Sequence, residues 1–385
     1  VADPRLCYCR RLIGTSMAHD FDYMSATEMR LRVARKDISP VALTERALAR
    51  ADEVEPRLNA FFELLPEEAM KAARAAEDAV MKGDTLGALH GIPLSVKDLI
   101  AVGGAPFSLG SKTMEGNIAA EDAPAVERVR TAGGVVIGKT TTSEFGCKPV
   151  GDSPLTGITR NPWDTDKTPG GSSAGAAASV AAGVTPFALG TDGGGSVRIP
   201  SAFTGLAGIK GSFARVPVWP TSATPTLAHV GPLARNVRDA ALLFSAIAGY
   251  DARDPFSIAS DVPDVIGACD QSVEGMRVAW SPTLGYARPN ADVVAVVEAA
   301  VRKFEDAGAI VEQVDDVFEA DPADLWTAEF YAGVGIKLRD FLENKRDMLD
   351  PAVADILEPA LDQEMQDSLL PFCLTLTNCC LWAKP

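Results

Sequence analysis

Apolar residues recur at helical spacing in the first part of the chain, behind residues that favour helix starts. The segment 39–54 has this spacing; Ser39 is placed to cap its first turn and Pro40 suits the first helical position. A second helix is predicted over 66–83, where the pattern stops at Gly83, a residue that commonly ends helices. Both segments are therefore predicted to form amphipathic helices.

Strand-like runs alternate with further helical segments. The run "IPLSVKDLI" (92–100) predicts a short buried strand, and 121–134 predicts a helix that passes through glycine into a strand at 135–139. An alanine-rich helix is expected at about 174–182, followed by a buried strand at 184–190. Alternation of this kind predicts an α/β fold.

The same order recurs later in the chain. Residues 276–280, 292–308 and 309–314 predict a strand, a helix and a second strand, with Gly308 closing the helix. Strands joined by such a helix are expected to be parallel, because the helix carries the chain back to the same end of the sheet.

Composition narrows the class of protein. The 385 residues, 47% hydrophobic and 23% charged, suffice for one large α/β domain or two smaller ones. The 52 acidic and 36 basic residues give a net charge of −16, which argues against a protein that binds nucleic acid through basic patches. A cytoplasmic protein is expected.

The cysteines do not predict a metal site. Their spacings show no repeated pair and only three histidines accompany them, so the paired ligands of a zinc site are missing. Reduced, mostly buried thiols are expected at Cys7, Cys9, Cys147, Cys269, Cys373, Cys379 and Cys380.

No segment is expected to export the chain or to cross a membrane. No N-terminal stretch combines a basic region, an apolar run and a cleavage site, and 1–16 is interpreted as an extension outside the core. The run from Pro169 to Thr191 is uncharged, but it consists mainly of glycine, serine and alanine, which is unlike a transmembrane helix.

Two glycine patterns suggest other kinds of chemistry. "GKT" (138–140) lacks the glycine spacing of a phosphate-binding loop and follows a strand. "GSSAG" (171–175) matches the Gly-x-Ser-x-Gly elbow of α/β-hydrolases, with Ser173 central. That elbow needs a histidine base further along the chain, and His229 follows too soon to leave room for the acid-bearing strand.

With histidine scarce, a buried neutral lysine is the other base able to activate a serine. Lys97 lies in "IPLSVKDLI", whose apolar residues predict a low-dielectric environment. The competing interpretation is that Lys97 is solvated or pairs with Asp98. The loops at 170–175 and 191–198 favour the catalytic interpretation.

Taken together, these segments resemble the amidase signature family. The resemblance is close from 25 to 254 and looser toward 345. It rests on five segments in the family's order: "LHGIPLSVKDLI" (89–100), "GKTTTSEFG" (138–146), "NPWDTDKTPGGSSAGAAASVAAG" (161–183), "LGTDGGGSVRIPSAFTGLAGIKGS" (189–212) and "GPLARNVRDAALLFSAIAG" (231–249).

The resemblance implies an amide hydrolase with a Ser-Ser-Lys triad. Ser196 matches the nucleophile that forms an acyl-enzyme, Ser172 the bridging serine and Lys97 the base. It also implies a cis peptide bond before the bridging serine, here between Gly171 and Ser172, beside a helix whose small residues allow close packing.

The glycine run before the nucleophile is the expected oxyanion hole, because backbone N–H groups of Gly193, Gly194 and Gly195 can converge without interference from a Cβ atom. Asp192 and Arg198 resemble the family's structural polar pair. We expect these two side chains to anchor the loop without taking part in the chemistry.

The fold implied by the resemblance is one large α/β domain with a central mixed, mostly parallel sheet covered by helices on both faces. Its predicted extent is 17–372, with the signature core at about 89–249 and an atypical tail at 373–385. The tail does not resemble the family's continuation, so the chain is expected to be short at its C-terminal end.

Three functional interpretations stay open. The first is an amidase that acts on a small-molecule amide, without cofactor, metal, nucleic acid or membrane, and with a homodimer left open. The second is a glutaminase component resembling the A subunit of a tRNA-dependent amidotransferase. The third is a truncated, inactive family member.

Overall fold

Helices and strands alternate along the chain in the computed structural model, which describes residues 21–315 and 317–362. The helices are α1 (Ala26–Ala34), α2 (Pro40–Leu58), α3 (Pro66–Lys82), α4 (Pro124–Thr131), α5 (Ala174–Ala181), α6 (Arg198–Thr204), α7 (Val237–Ile247), α8 (Ala291–Asp306), α9 (Ala323–Asn344) and α10 (Pro351–Leu357). The strands are β1 (Phe61–Leu64), β2 (Pro93–Lys97), β3 (Val135–Thr140), β4 (Asp152–Ser153), β5 (Gly157–Ile158), β6 (Phe187–Asp192), β7 (Ala207–Gly208), β8 (His229–Ala234), β9 (Arg277–Trp280) and β10 (Ile310–Gln313). The predicted extension at 1–16 and the tail at 373–385 lie outside the described residues.

Capping residues explain where the first predicted helices begin and end. Ser39 Oγ accepts hydrogen bonds from the backbone N–H groups of Val41 and Ala42, and α2 begins there. Helix α3 ends at Gly83, whose φ of 80° is a left-handed conformation that glycine adopts without a steric penalty. Both predicted helices are confirmed.

The described residues form two compact units, and the first consists of 21–266 with Gly333–Leu361. Its six-stranded sheet has the order β1-β3-β2-β6-β8-β7. Neighbours within the central group β3, β2 and β6 are parallel, whereas β1 pairs antiparallel with β3, and β8 pairs antiparallel with both β6 and β7. The mixed sheet is therefore confirmed, but the prediction that it is mostly parallel is wrong. Only two of the five pairings among its described strands are parallel, because β1 and β8 run opposite to the central strands and β7 pairs antiparallel with β8.

Alternation along the buried strands divides the core between two faces of this sheet. Val136 of β3 belongs to a hydrophobic cluster with residues of α1, α4 and α7. Val135 and Ile137 belong to another cluster with residues of α2, α3 and α5. Burying a side chain of this kind contributes about 1.5–3 kcal/mol. Helices cover both faces of the sheet, as predicted.

Helix α5 comes close to neighbouring backbone because Gly175 lacks a side chain. A Cβ atom at this position would lie 2.1 Å from the carbonyl oxygen of Ala60 and 2.5 Å from Thr141 Oγ1, far inside contact distance. The close packing predicted from the small residues of this helix is present, and it fixes the segment that follows Ser172.

The second unit comprises Gly267–Ala332 within the described part of the chain. Its strands β9 and β10 are parallel, with Ile310 opposite Arg277 and Gln313 opposite Trp280. Helix α8 joins them and is followed by Gly308 at φ 90°. The predicted strand, helix and parallel strand are confirmed.

Candidate active site

Alternation along β2 directs Lys97 toward the start of α5. Leu94 and Val96 belong to the hydrophobic cluster on one face of the sheet. Ser95 faces the other way, with Oγ 3.3 Å from Ser179 Oγ of α5. Lys97 is two residues after Ser95 and therefore points to the same face.

The amine of Lys97 contacts two hydroxyl groups in a buried environment. Its side chain is 0% exposed, and Nζ lies 2.7 Å from Ser172 Oγ and 2.8 Å from Thr191 Oγ1. Burial lowers the pKa of Lys97 well below its ordinary value, against the opposing effect of the Asp192 carboxylate. The structure thus brings the predicted base and bridging serine together, in surroundings that favour the neutral amine.

Asp98 pairs with another lysine, which argues against the interpretation that Lys97 pairs with Asp98, and burial of Lys97 argues against a solvated amine. Its Oδ1 lies 2.7 Å from Nζ of Lys139, and both side chains are buried. The backbone N–H and the hydroxyl group of Ser108 also donate to the Asp98 carboxylate. Lys139, from the "GKT" segment, is therefore a structural partner of Asp98.

Ser172 is held in a loop that passes very close to neighbouring backbone. The Gly171–Ser172 peptide bond is cis, as the resemblance implied. A Cβ atom at Gly171 would lie 2.3 Å from the carbonyl oxygen of Val150, so glycine alone fits there. Ser172 itself is 1% exposed.

Ser173 has a different environment from that of an elbow nucleophile. Its hydroxyl group donates to the carbonyl oxygen of Thr191 at 3.2 Å and accepts from the N–H of the same residue at 3.3 Å. His229, the only histidine after it in the chain, has Nδ1 2.8 Å from the carbonyl oxygen of Leu227. These contacts favour a structural role for Ser173.

The Asp192 carboxylate organises the loop that carries Ser196. It accepts hydrogen bonds from the N–H groups of Gly195 at 2.7 Å and Val197 at 3.2 Å. Arg198 binds it in a bidentate manner, with Nε and Nη2 each 2.9 Å from a carboxylate oxygen. Burial opposes ionisation of Asp192, yet the contacts with Arg198 and with these N–H groups lower its pKa. The geometry supports the predicted anchoring role of this pair.

One predicted oxyanion donor needs correction. The N–H of Gly195 points to Asp192 and is already engaged there, so it is not available as a separate donor in this arrangement. Gly193 is half-buried and Gly194 is exposed, and their predicted roles stay predictions. The two serine loops meet where the N–H of Ser173 donates to the carbonyl oxygen of Ser196 at 3.3 Å.

Thr191 is a site residue that the sequence motifs did not identify. It lies on β6, next to β2 in the sheet, and its hydroxyl group is the second oxygen bound to Lys97 Nζ. The one feature of the sequence that could have identified Thr191 is its position directly before Asp192 in the "TDGGGS" motif.

Cysteine, metal and membrane predictions concern other parts of the molecule. Cys147 is buried and Cys269 is half-buried, whereas Cys7, Cys9, Cys373, Cys379 and Cys380 lie outside the described residues. Over 21–315 and 317–362, no three His, Cys, Asp or Glu side chains form a metal-ligand group. Within those same ranges, every helix is too short or too polar to span a bilayer.

Comparison with known proteins identifies similar chains. The family model described as Amidase matches residues 42–369. An acylamidase from Rhodococcus erythropolis is 38% identical over 341 residues, which cover 88% of this chain and 71% of the relative. A solved bacterial aryl acylamidase of the amidase signature family superimposes with a TM-score of 0.86 at 30% identity, over 92% of this chain and 76% of that one.

A second kind of relative is also similar in sequence. A glutamyl-tRNA(Gln) amidotransferase component from Nitrosococcus oceani is 37% identical over 293 residues, which cover 76% of this chain. The matched region spans 60% of the length of that relative.

Proposed function

Because this chain belongs to the amidase signature family, we propose that it hydrolyses carboxylic amides through Lys97, Ser172 and Ser196. The products are a carboxylate and ammonia or an amine. The observation that carries the proposal is the 2.7 Å contact between Lys97 Nζ and Ser172 Oγ in a fully buried setting. A lysine in such surroundings is neutral more readily than a solvated one, and only the neutral amine is a base.

The hydrogen bond to Thr191 gives the amine a defined orientation. A neutral amine has two N–H donors and one lone pair, and an N–H directed to Thr191 Oγ1 leaves the lone pair available for the Ser172 proton. Ser172 then takes the proton of Ser196, whose Oγ attacks the amide carbonyl carbon. The carbon–nitrogen bond breaks as the departing nitrogen is protonated, and water hydrolyses the acyl-enzyme ester.

Negative charge develops on the carbonyl oxygen during attack, so the site needs donors directed at that oxygen. The backbone N–H of Gly194 is the proposed donor, while that of Gly195 holds the loop through Asp192. A donor role for Gly193 stays a prediction from the glycine run. Removing one such donor typically costs about 3 kcal/mol of transition-state stabilisation.

The proposed substrates are N-acyl amides, including anilides of aromatic amines. The similarity to an acylamidase and to a solved aryl acylamidase supports this class. The test is release of 4-nitroaniline from 4-nitroacetanilide by the purified chain, together with labelling by a serine-directed phosphonate. Peptide mass mapping identifies the labelled residue. Loss of labelling in Ser196→Ala would support the proposal, and unchanged labelling of that variant would refute it.

A glutaminase component of a tRNA-dependent amidotransferase is the second candidate. It is supported by 37% identity to the amidotransferase component from Nitrosococcus oceani. The discriminating measurement is whether the chain is active without partner proteins. Hydrolysis of simple amides by the chain alone favours the amidase. Glutamine hydrolysis that occurs only with added partner proteins favours the second candidate.

A family member that lacks activity is the remaining alternative, and calorimetry addresses it. A cooperative thermal transition without hydrolysis of 4-nitroacetanilide or glutamine would favour this alternative, because the fold would then be present without the chemistry.

A further inference from the structure

A cavity lies at the C-terminal ends of α5 and α6. It encloses about 420 Å³, and its lining includes Ala182 just after α5 and Gly205 just after α6. Helix α5 begins directly after Ser173, at the opposite end from this cavity. Eight helical residues rise about 12 Å, so the cavity is separate from the Ser172 loop.

Its apolar walls suit the body of a small organic molecule. Val54 and Leu58 of α2 line one part and Leu206 another. Trp163 is 76% exposed, yet its indole N–H donates to the carbonyl oxygen of Thr204 at 2.8 Å, which fixes the orientation of the ring. A fixed indole beside aliphatic side chains offers a flat apolar surface at low entropic cost.

Two of the three arginines that line the cavity are engaged with helix-end carbonyl groups. Arg235 donates to the carbonyl oxygens of Val180 and Thr185, at 3.2 and 2.6 Å. Arg50 donates to the carbonyl oxygen of Ala182 at 3.0 Å and also pairs with the Glu53 carboxylate. These arginines neutralise the negative end of α5, which would otherwise repel an anion.

Arg57 is the arginine left for a ligand. Arg57 lines the cavity and is exposed, and across the residues that the structure describes its side chain makes no hydrogen bond and no ion pair. Guanidinium stays charged at all relevant pH values, and its planar fork matches a carboxylate in bidentate geometry. No acidic side chain is among the described residues that line the cavity.

We propose that this cavity binds a small organic carboxylate, with the carboxylate on Arg57 and the apolar body against Trp163. The net charge of the chain is −16, so a local group of arginines without a lining carboxylate contrasts with the rest of the surface. The proposal does not depend on amide hydrolysis, since binding is measured directly.

The test uses phenylacetate as probe and 2-phenylethanol as its neutral counterpart, both titrated into the full chain by calorimetry. Saturable binding of phenylacetate is expected, with 2-phenylethanol at least about tenfold weaker because it cannot form the charged pair. Equal binding of the two compounds, or no saturable binding of phenylacetate, would overturn the proposal.

Variants locate the binding site. Arg57→Gln is expected to weaken phenylacetate binding about tenfold, and Arg57→Lys less, because it keeps the charge but loses the fork. Arg30→Gln changes an exposed arginine of α1 outside the cavity and is expected to leave binding unchanged. Unchanged binding in Arg57→Gln would place the carboxylate elsewhere and refute the assignment. Loss of amide hydrolysis in other experiments would leave these results unaffected.

Discussion

Lys97 Nζ donates a hydrogen bond to the hydroxyl oxygen of Thr191 at 2.8 Å, and Thr191 lies on the strand adjacent to that of Lys97. This contact places the amine against Ser172 and consumes one of its N–H donors. We therefore assign Thr191 a positioning role, in which it acts on the proposed reaction through Lys97.

Thr191→Val is expected to lower kcat about three- to tenfold, because valine keeps the shape but removes the acceptor that orients the amine. KM is expected to change little. Thr191→Ser is the matched control, since it retains the hydroxyl group and should retain most of kcat. Equal losses in both variants would indicate that packing, and not the hydrogen bond, is responsible.

Lys97→Met is expected to reduce kcat by about two to four orders of magnitude, the usual contribution of a general base. In the parent chain, kcat/KM should fall as pH drops through the lowered pKa of Lys97, because protonation removes the base. Steady-state kinetics measured across a range of pH values checks both the loss of kcat in Lys97→Met and the pH dependence of the parent. A parent profile that rises toward acid pH would contradict the role of Lys97.

Lys97→Met is also expected to change how the free energy of unfolding depends on pH, and the direction of that change follows from proton linkage. The folded-state pKa of Lys97 lies below its unfolded value, so between the two pKa values the unfolded chain binds the extra proton and rising pH stabilises the parent. The free energy of unfolding of Lys97→Met minus that of the parent should therefore be larger at neutral pH, and it should shrink as pH rises toward the ordinary pKa of lysine, about 10.4. Urea titrations at several pH values test this; a difference that grows with pH would refute it.

Arg198 is expected to influence the pH dependence through Asp192. The Asp192 carboxylate raises the pKa of Lys97, and Arg198 lies against that carboxylate with a side chain 54% exposed. Arg198→Gln removes the compensating charge, so the pKa of Lys97 should rise and the acid limb of kcat/KM should move to higher pH. Arg198→Lys should shift it less. If Arg198→Gln lowers the rate but the acid limb of kcat/KM stays at the same pH, Arg198 has only a structural role.

The sequence predicts Lys97, Ser172 and the helix ends because their signals are local. Ser39 and Gly83 act on the turn beside them, and the two catalytic candidates lie in long motifs with a fixed order along the chain. Thr191 has no such signal. Its role arises only when β6 pairs beside β2, a relationship between residues 94 positions apart.

Two further differences between the sequence-based predictions and the structure also arise from contacts between segments that are distant along the chain. A run of glycines indicates available N–H groups, but whether Asp192 turns back to accept the one from Gly195 depends on the path of the whole loop. Likewise, the antiparallel pairing of β8 with β6 depends on how the intervening segment returns to the sheet, which no local pattern specifies.

The buried pair of Asp98 and Lys139 provides a test of the fold beneath the site. Lys139→Met leaves the Asp98 charge buried without its partner and is expected to cost about 3–5 kcal/mol in unfolding free energy. Adding Asp98→Asn removes that charge while still offering an acceptor to the Ser108 N–H, so the double variant should be more stable than Lys139→Met alone. Urea unfolding of the parent, both single variants and the double variant measures the coupling. If the losses of the two single variants add up to the loss of the double variant, the two side chains are not coupled, and the assigned ion pair would be refuted.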